Sequence, residues 1–79
     1  MYKIKLFTDT NKYLSMKLEE LQKISEEQVN GAKQSFQYWN KGEALAIASK
    51  FQDLIKTKGK FLGFIVFDSK GKAIKVWQK

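Results

Sequence analysis

Cysteine, histidine, proline and arginine are all missing from the 79 residues, and each absence excludes something specific. Without Cys or His there is no thiolate, no imidazole and no usual ligand set for zinc. Disulfide staples, zinc centres, Cys nucleophiles and His-dependent triads are therefore excluded together. Without Arg there is no planar fork to read guanine or clamp a phosphate bidentately. The 15 cationic side chains are all Lys, mobile point charges whose contact with nucleic acid is sequence-tolerant. Lys without Arg is also what AT-rich coding produces, as in a phage or other mobile element of a low-GC host. No run reaches the roughly 20 apolar residues of a membrane-spanning helix. Residues 1–10 alternate Lys with apolar residues and lack a signal peptide's apolar stretch. A cytoplasmic protein with no membrane partner is expected.

Catalytic groups are also scarce. The eight carboxylates are Asp9, Glu19, Glu20, Glu26, Glu27, Glu43, Asp53 and Asp68, and no Ser or Thr has a recognisable base to activate it. Glu19 and Glu20 belong to a solvated helix face, and Asp68 opens a turn, a position that favours Asp. The residues that follow Asp68 lack the ligand spacing of an EF-hand loop. No enzyme, no cofactor and no metal are expected.

What is present is enough for one modest core. A chain of this length buries about 60% of the surface its unfolded form exposes, so residues 1–79 read as a single domain. Its charge is uneven: residues 1–30 sum to zero, and the whole net +7 lies in residues 31–79, mostly after Lys56. Such asymmetry favours an anionic partner.

Tyr2-Lys3-Ile4-Lys5-Leu6-Phe7 alternates with period two and predicts a half-buried strand. From Asn11 the period changes. Leu14, Leu18, Leu21 and Ile24 predict an amphipathic helix capped by Asp9 or Thr10 and ended at Asn30-Gly31. Gln34 to Trp39 suggests a short strand. Asn40, three residues before Glu43, then opens a second helix with the apolar stripe Ala44, Ile47, Ala48, Phe51, Leu54 and Ile55. Gly59 supplies a left-handed cap. Phe61 to Phe67 and Lys72 to Trp77 flank Asp68-Ser69-Lys70-Gly71 as a C-terminal β-hairpin. The expected fold is a small two-layer α/β domain of α+β type, order β-α-(β)-α-β-β. It has a three- or four-stranded sheet and two amphipathic helices.

A hairpin with Gly71 in the bulge position pairs Phe67 with Ala73, Val66 with Ile74, Ile65 with Lys75, Phe64 with Val76 and Gly63 with Trp77. One face then carries Leu62, Phe64, Val66, Ile74 and Val76, joined by Ile4 and Leu6. The other interleaves aromatics and lysines: Lys3, Lys5, Phe7, Phe61, Ile65, Phe67, Lys75 and Trp77, with Lys60 and Lys72 at its basic edge. Large aromatics bury on the order of 150–250 Å² each, more than a soluble monomer usually leaves bare. A cover is therefore required: one helix on each side of the sheet, a second subunit, or stacked bases with Lys on the phosphates. Lys58-Gly59-Lys60 and Lys70-Gly71-Lys72 offer backbone N–H groups and ammonium charge to phosphate, although each Gly also suits a plain cap or turn.

Lys60 to Phe67 shares part of the third-strand pattern of the RNA-recognition motif, Lys/Arg-Gly-aromatic-Gly-aromatic-apolar-x-aromatic. Phe61 stands where that pattern has Gly, and Leu62 where it has its first stacking aromatic. The motif's third strand also precedes its second helix, whereas this one follows it. No family is assigned on this match.

Two functions fit these features. The first is sequence-tolerant binding of single-stranded DNA or RNA through the Lys/aromatic face and basic hairpin. The second is a protein-binding or inhibitory module in which the same face meets an acidic protein surface, since Coulomb attraction to Lys does not distinguish carboxylate from phosphate. A homodimer through Phe61, Phe67 and Trp77 is the accompanying expectation, with flexible Lys stems lying along the apolar contact.

Overall fold

The computed structural model describes the backbone of residues 1–79 and every side chain except that of Lys58. The chain runs β1 (Tyr2–Phe7), a 3₁₀ turn (Lys12–Ser15), α1 (Leu18–Leu21), a second 3₁₀ turn (Glu26–Gln28), β2 (Gln34–Tyr38), α2 (Lys41–Lys58), β3 (Gly63–Phe67) and β4 (Ala73–Gln78). The four strands form one antiparallel sheet in the order β2-β1-β3-β4. The fold is thus α+β, with one long helix.

Burial follows from the sequence of the central strands. β3, Gly-Phe-Ile-Val-Phe, is apolar at every position and is buried on both faces, as a strand with a layer on each side must be. On one side α2 packs Ala44, Ala48 and Ile55 onto Ile4, Leu6, Phe64 and Val66. The alanines let the helix approach the sheet closely, and each fully buried Leu, Ile, Val or Phe contributes about 1.5–3 kcal/mol. The Asn40 side chain caps α2 by accepting the Glu43 backbone N–H at 2.7 Å. On the other side Leu14, Leu21 and Val29 cover Phe7, Ile65, Phe67 and Ala73. The sheet is therefore the middle of three layers, and the two-layer expectation is corrected.

The expected first helix is broken. Asn11 caps the first 3₁₀ turn through Tyr13 N–H at 2.8 Å, in place of Asp9 or Thr10. Met16, Lys17 and Ser25 are extended, and the Ser25 N–H donates to Gln28 Oε1 at 3.0 Å. Asn and Ser offer the backbone such local partners and so interrupt helices. The three- and four-residue apolar spacing identified residues that face the core, and separate short turns bring Leu14, Leu21 and Val29 there. Gly31 has φ +94°, in the left-handed region, within the loop before β2. Gly59 ends α2 with φ −87°, so its expected left-handed cap is absent. A Cβ at this position would lie 2.8 Å from Ile55 Cα, so close approach accounts for the glycine.

The terminal hairpin turns as expected. Asp68 N–H donates to Lys72 O at 2.8 Å, Gly71 has φ +82°, and Phe67 faces Ala73. One residue later the register slips: Val66 faces Lys75, Ile65 faces Val76, Phe64 faces Trp77 and Gly63 faces Gln78. Ile74 is the extra residue of a β-bulge. A one-residue slip exchanges faces, so Val76 joins the α1 side and Trp77 the α2 side. Among the described residues, no helix is long and apolar enough to cross a membrane.

Candidate functional site

The ten residues of the expected Lys/aromatic face do not share a surface. Phe7, Ile65 and Phe67 are 0–1% exposed beneath the α1 layer. Phe61 and Trp77 lie on the opposite side against the α2 core, Trp77 with its ring centroid 5.7 Å from that of Phe64. Lys75 faces Val66 in the ladder and so shares that side. The required cover is supplied from within the chain, one helical layer on each face. The surface to which the sequence assigns a dimer contact is thus largely occupied.

Lys3 and Lys5 also have a partner. Lys3 Nζ lies 3.0 Å from Glu26 Oε1, and Lys5 Nζ lies 3.9 Å from the same oxygen. Lys5 Nζ further donates to the Glu26 backbone carbonyl at 3.2 Å and sits 5.6 Å from the centre of the Phe67 ring. The Glu26 backbone N–H donates to Gly71 O at 3.0 Å, which pins the second 3₁₀ turn to the hairpin. One carboxylate, that of Glu26, is thus shared by both cations of β1.

The hairpin donors are filled in the same way. Asp68 Oδ1 accepts the backbone N–H groups of Lys70 and Lys72, each at 2.9 Å, and Asp68 O accepts that of Gly71 at 3.0 Å. In the other Lys-Gly-Lys run, the Gly59 N–H donates to Ile55 O at 3.4 Å; the Lys58 side chain lies outside the described residues. The ammonium groups of Lys60, Lys70 and Lys72 remain at exposed positions. Lys23, Lys70 and Lys72 border a shallow hollow of about 270 Å³.

An apolar groove lies elsewhere. It measures about 310 Å³ and runs between β2 and the C-terminal half of α2, lined by Leu6, Gln34, Phe36, Phe51, Leu54, Ile55, Gly59, Lys60 and Phe61. Phe36 stacks at a tilt on Phe51, ring centroids 5.5 Å apart, yet stays 37% exposed, and Leu54 is 58% exposed. Trp39, 80% exposed, stands at the β2–α2 junction. In the sequence Leu54 belongs to the core stripe of the second helix and Phe36 to a short strand whose faces do not alternate cleanly. The spacing carried no signal against this, since adjacent apolar residues share a core-facing stripe and Ile47 and Ala48 of the same helix both pack on the core.

Charge in the lining of this groove is one-sided. Lys60 is the one charged residue that lines it, and no lining residue is a carboxylate; Lys33, Lys50 and Asp53 are neighbours in sequence of the lining residues. At the C-terminal end of β2, partial burial and, secondarily, the Glu43 carboxylate raise the Tyr38 phenol above its ordinary pKa. Comparison with protein-family models, with curated proteins and with solved structures finds no match for this chain.

Proposed function

We propose that the chain is a non-enzymatic protein-binding module whose contact surface is the groove between α2 and β2. The observation that carries this reading is the exposure of Phe36 and Leu54 in a concave apolar site, in a chain whose own layers cover both faces of its sheet. Concave sites with an apolar floor and few polar groups favour ligand contact, and interfaces draw most of their energy from a few large anchors at their centre. Lys60 in the lining and the net charge of +7 favour acidic partners and speed their encounter. Affinity capture with the wild-type chain and with Leu54→Lys, both after nuclease treatment, tests the reading. A protein recovered by the first and lost with the second supports it. Equal recovery by both baits removes the groove as the contact surface.

The convergence of Lys23, Lys70 and Lys72 around one hollow favours a second reading, sequence-tolerant binding of single-stranded nucleic acid at the hairpin end. Three neutralised phosphates would give a slope of about −2 in log K against log salt. Anisotropy of a labelled oligonucleotide at two salt concentrations measures it. No binding at low salt rejects this reading.

A further inference from the structure

We infer that the groove recognises its partner by strand addition: an extended acidic segment of another protein pairs with the open edge of β2 as a fifth strand. This deepens the protein-binding reading and rests on it.

The two edges of the sheet differ. β4 is blunted: it carries the bulge at Ile74, Lys75 within the strand, and Lys72 and Lys79 at its ends. The Ala73 carbonyl at the bulge accepts a bond from Gln22 Nε2 at 3.1 Å. These are the devices by which proteins discourage pairing at an edge. β2 has only Lys33 at its start, with no bulge and no lysine within the strand. Gln34-Ser35-Phe36-Gln37-Tyr38 contains no charge and no proline, and its register with β1 runs unbroken from Tyr2 opposite Tyr38 to Leu6 opposite Gln34. In a chain with 15 lysines, an edge strand free of them is the exception.

The groove is placed to receive side chains from such a strand. Gln34 and Phe36 face Leu6 and Ile4, which lie under α2, so they project on the α2 side and form the groove wall. A strand added about 4.8 Å beyond β2 would send alternate side chains to that same side. Residues opposite Gln34 or Phe36 would enter the space bounded by Phe51, Leu54 and Phe61. Main-chain bonds then supply affinity and the pocket supplies side-chain preference, as in other strand-addition complexes. Carboxylates flanking the anchor would meet Lys33 and Lys60, with no acidic residue lining the groove to oppose them. A second copy fits less well. Two-fold pairing of β2 with itself gathers the lysines of two chains, each of net charge +7.

The test uses the whole chain labelled with ¹⁵N and a synthetic peptide of alternating acidic and apolar residues, Glu-Val-Glu-Phe-Glu-Val-Glu. Saturable shifts and slowed hydrogen exchange at the Gln34–Tyr38 amides are expected. Affinity should fall about tenfold or more when backbone N-methylation removes the donors on one edge of the peptide, as loss of one or two net hydrogen bonds requires. A similar loss is expected when Lys replaces Glu in the peptide, or with Leu54→Lys in the protein. Groove shifts that tolerate N-methylation would overturn strand addition and leave the protein-binding reading standing. No shift with the peptide, or protection of the β2 amides by self-association alone, would also overturn it. The protein-binding reading itself falls only on the capture experiment, where Leu54→Lys leaves recovery unchanged.

Discussion

Glu26 joins three parts of the molecule, because its carboxylate meets Lys3 and Lys5 while its backbone N–H holds the Gly71 carbonyl. The Lys3 side chain is 34% exposed, so solvent screens part of this interaction. Glu26→Ala should cost about 1–2 kcal/mol, near the lower range for a charged hydrogen bond, and Glu26→Gln should cost less. Urea denaturation measures both, and an alanine variant as stable as wild type would show the contact to be idle. Tyr38 gives a pH-dependent prediction. Its raised pKa means that the folded chain keeps the phenolic proton at a pH where the unfolded chain has lost it. Stability from this group is intact below about pH 10 and declines as pH rises from the ordinary tyrosine value through the raised one. Tyr38→Phe should flatten that alkaline decline relative to wild type, with the lysines common to both, and should remove a late step from the phenolate absorbance titration. A late step that persists would overturn the assignment to Tyr38.

At the scale of elements, legibility depended on whether the apolar pattern admitted one solution. α2 was readable because Asn40, Glu43 and the stripe from Ala44 to Ile55 agree, and β1 because only one of its alternating faces is aliphatic. β4 was not readable in full. Ala73-Ile74-Lys75-Val76-Trp77 has apolar residues on both parities, so registers with and without a bulge bury similar surface and the alternation cannot choose between them. That ambiguity moved Trp77 to the wrong face and, with it, the candidate site. The Leu14 to Ile24 spacing marked core contacts correctly but carried no information about the extended residues between turns. Leu54 is a useful element-scale control. At 58% exposure it adds little to packing, so Leu54→Lys should leave stability within about 0.5 kcal/mol of wild type. Thermal unfolding checks this, and a large loss would show that the groove belongs to the core.

For the whole molecule, the three-layer arrangement changes what Trp77 does. Packed on Phe64 beneath the α2 side, it serves the fold, so Trp77→Lys should cost roughly 2–4 kcal/mol, somewhat below the usual loss for a wholly buried Trp. Denaturation and light scattering, run together, separate this from a dimer effect. An unchanged midpoint with a halved mass would restore Trp77 as a self-association residue. The strand order has a further consequence, in time. β1 lies inside the sheet between β2 and β3, and Ile4 meets Val66 only across most of the sequence. Distant pairings of this kind slow folding, because the chain must close a long loop before any contact compensates for the lost freedom. During synthesis, at about 5–20 residues per second, β1 emerges early and waits for β3, with Ile4, Leu6 and Phe7 uncovered for seconds. A ribosome therefore delivers β1 before either layer that shelters it, and its apolar residues stay adhesive until β3 arrives beside them.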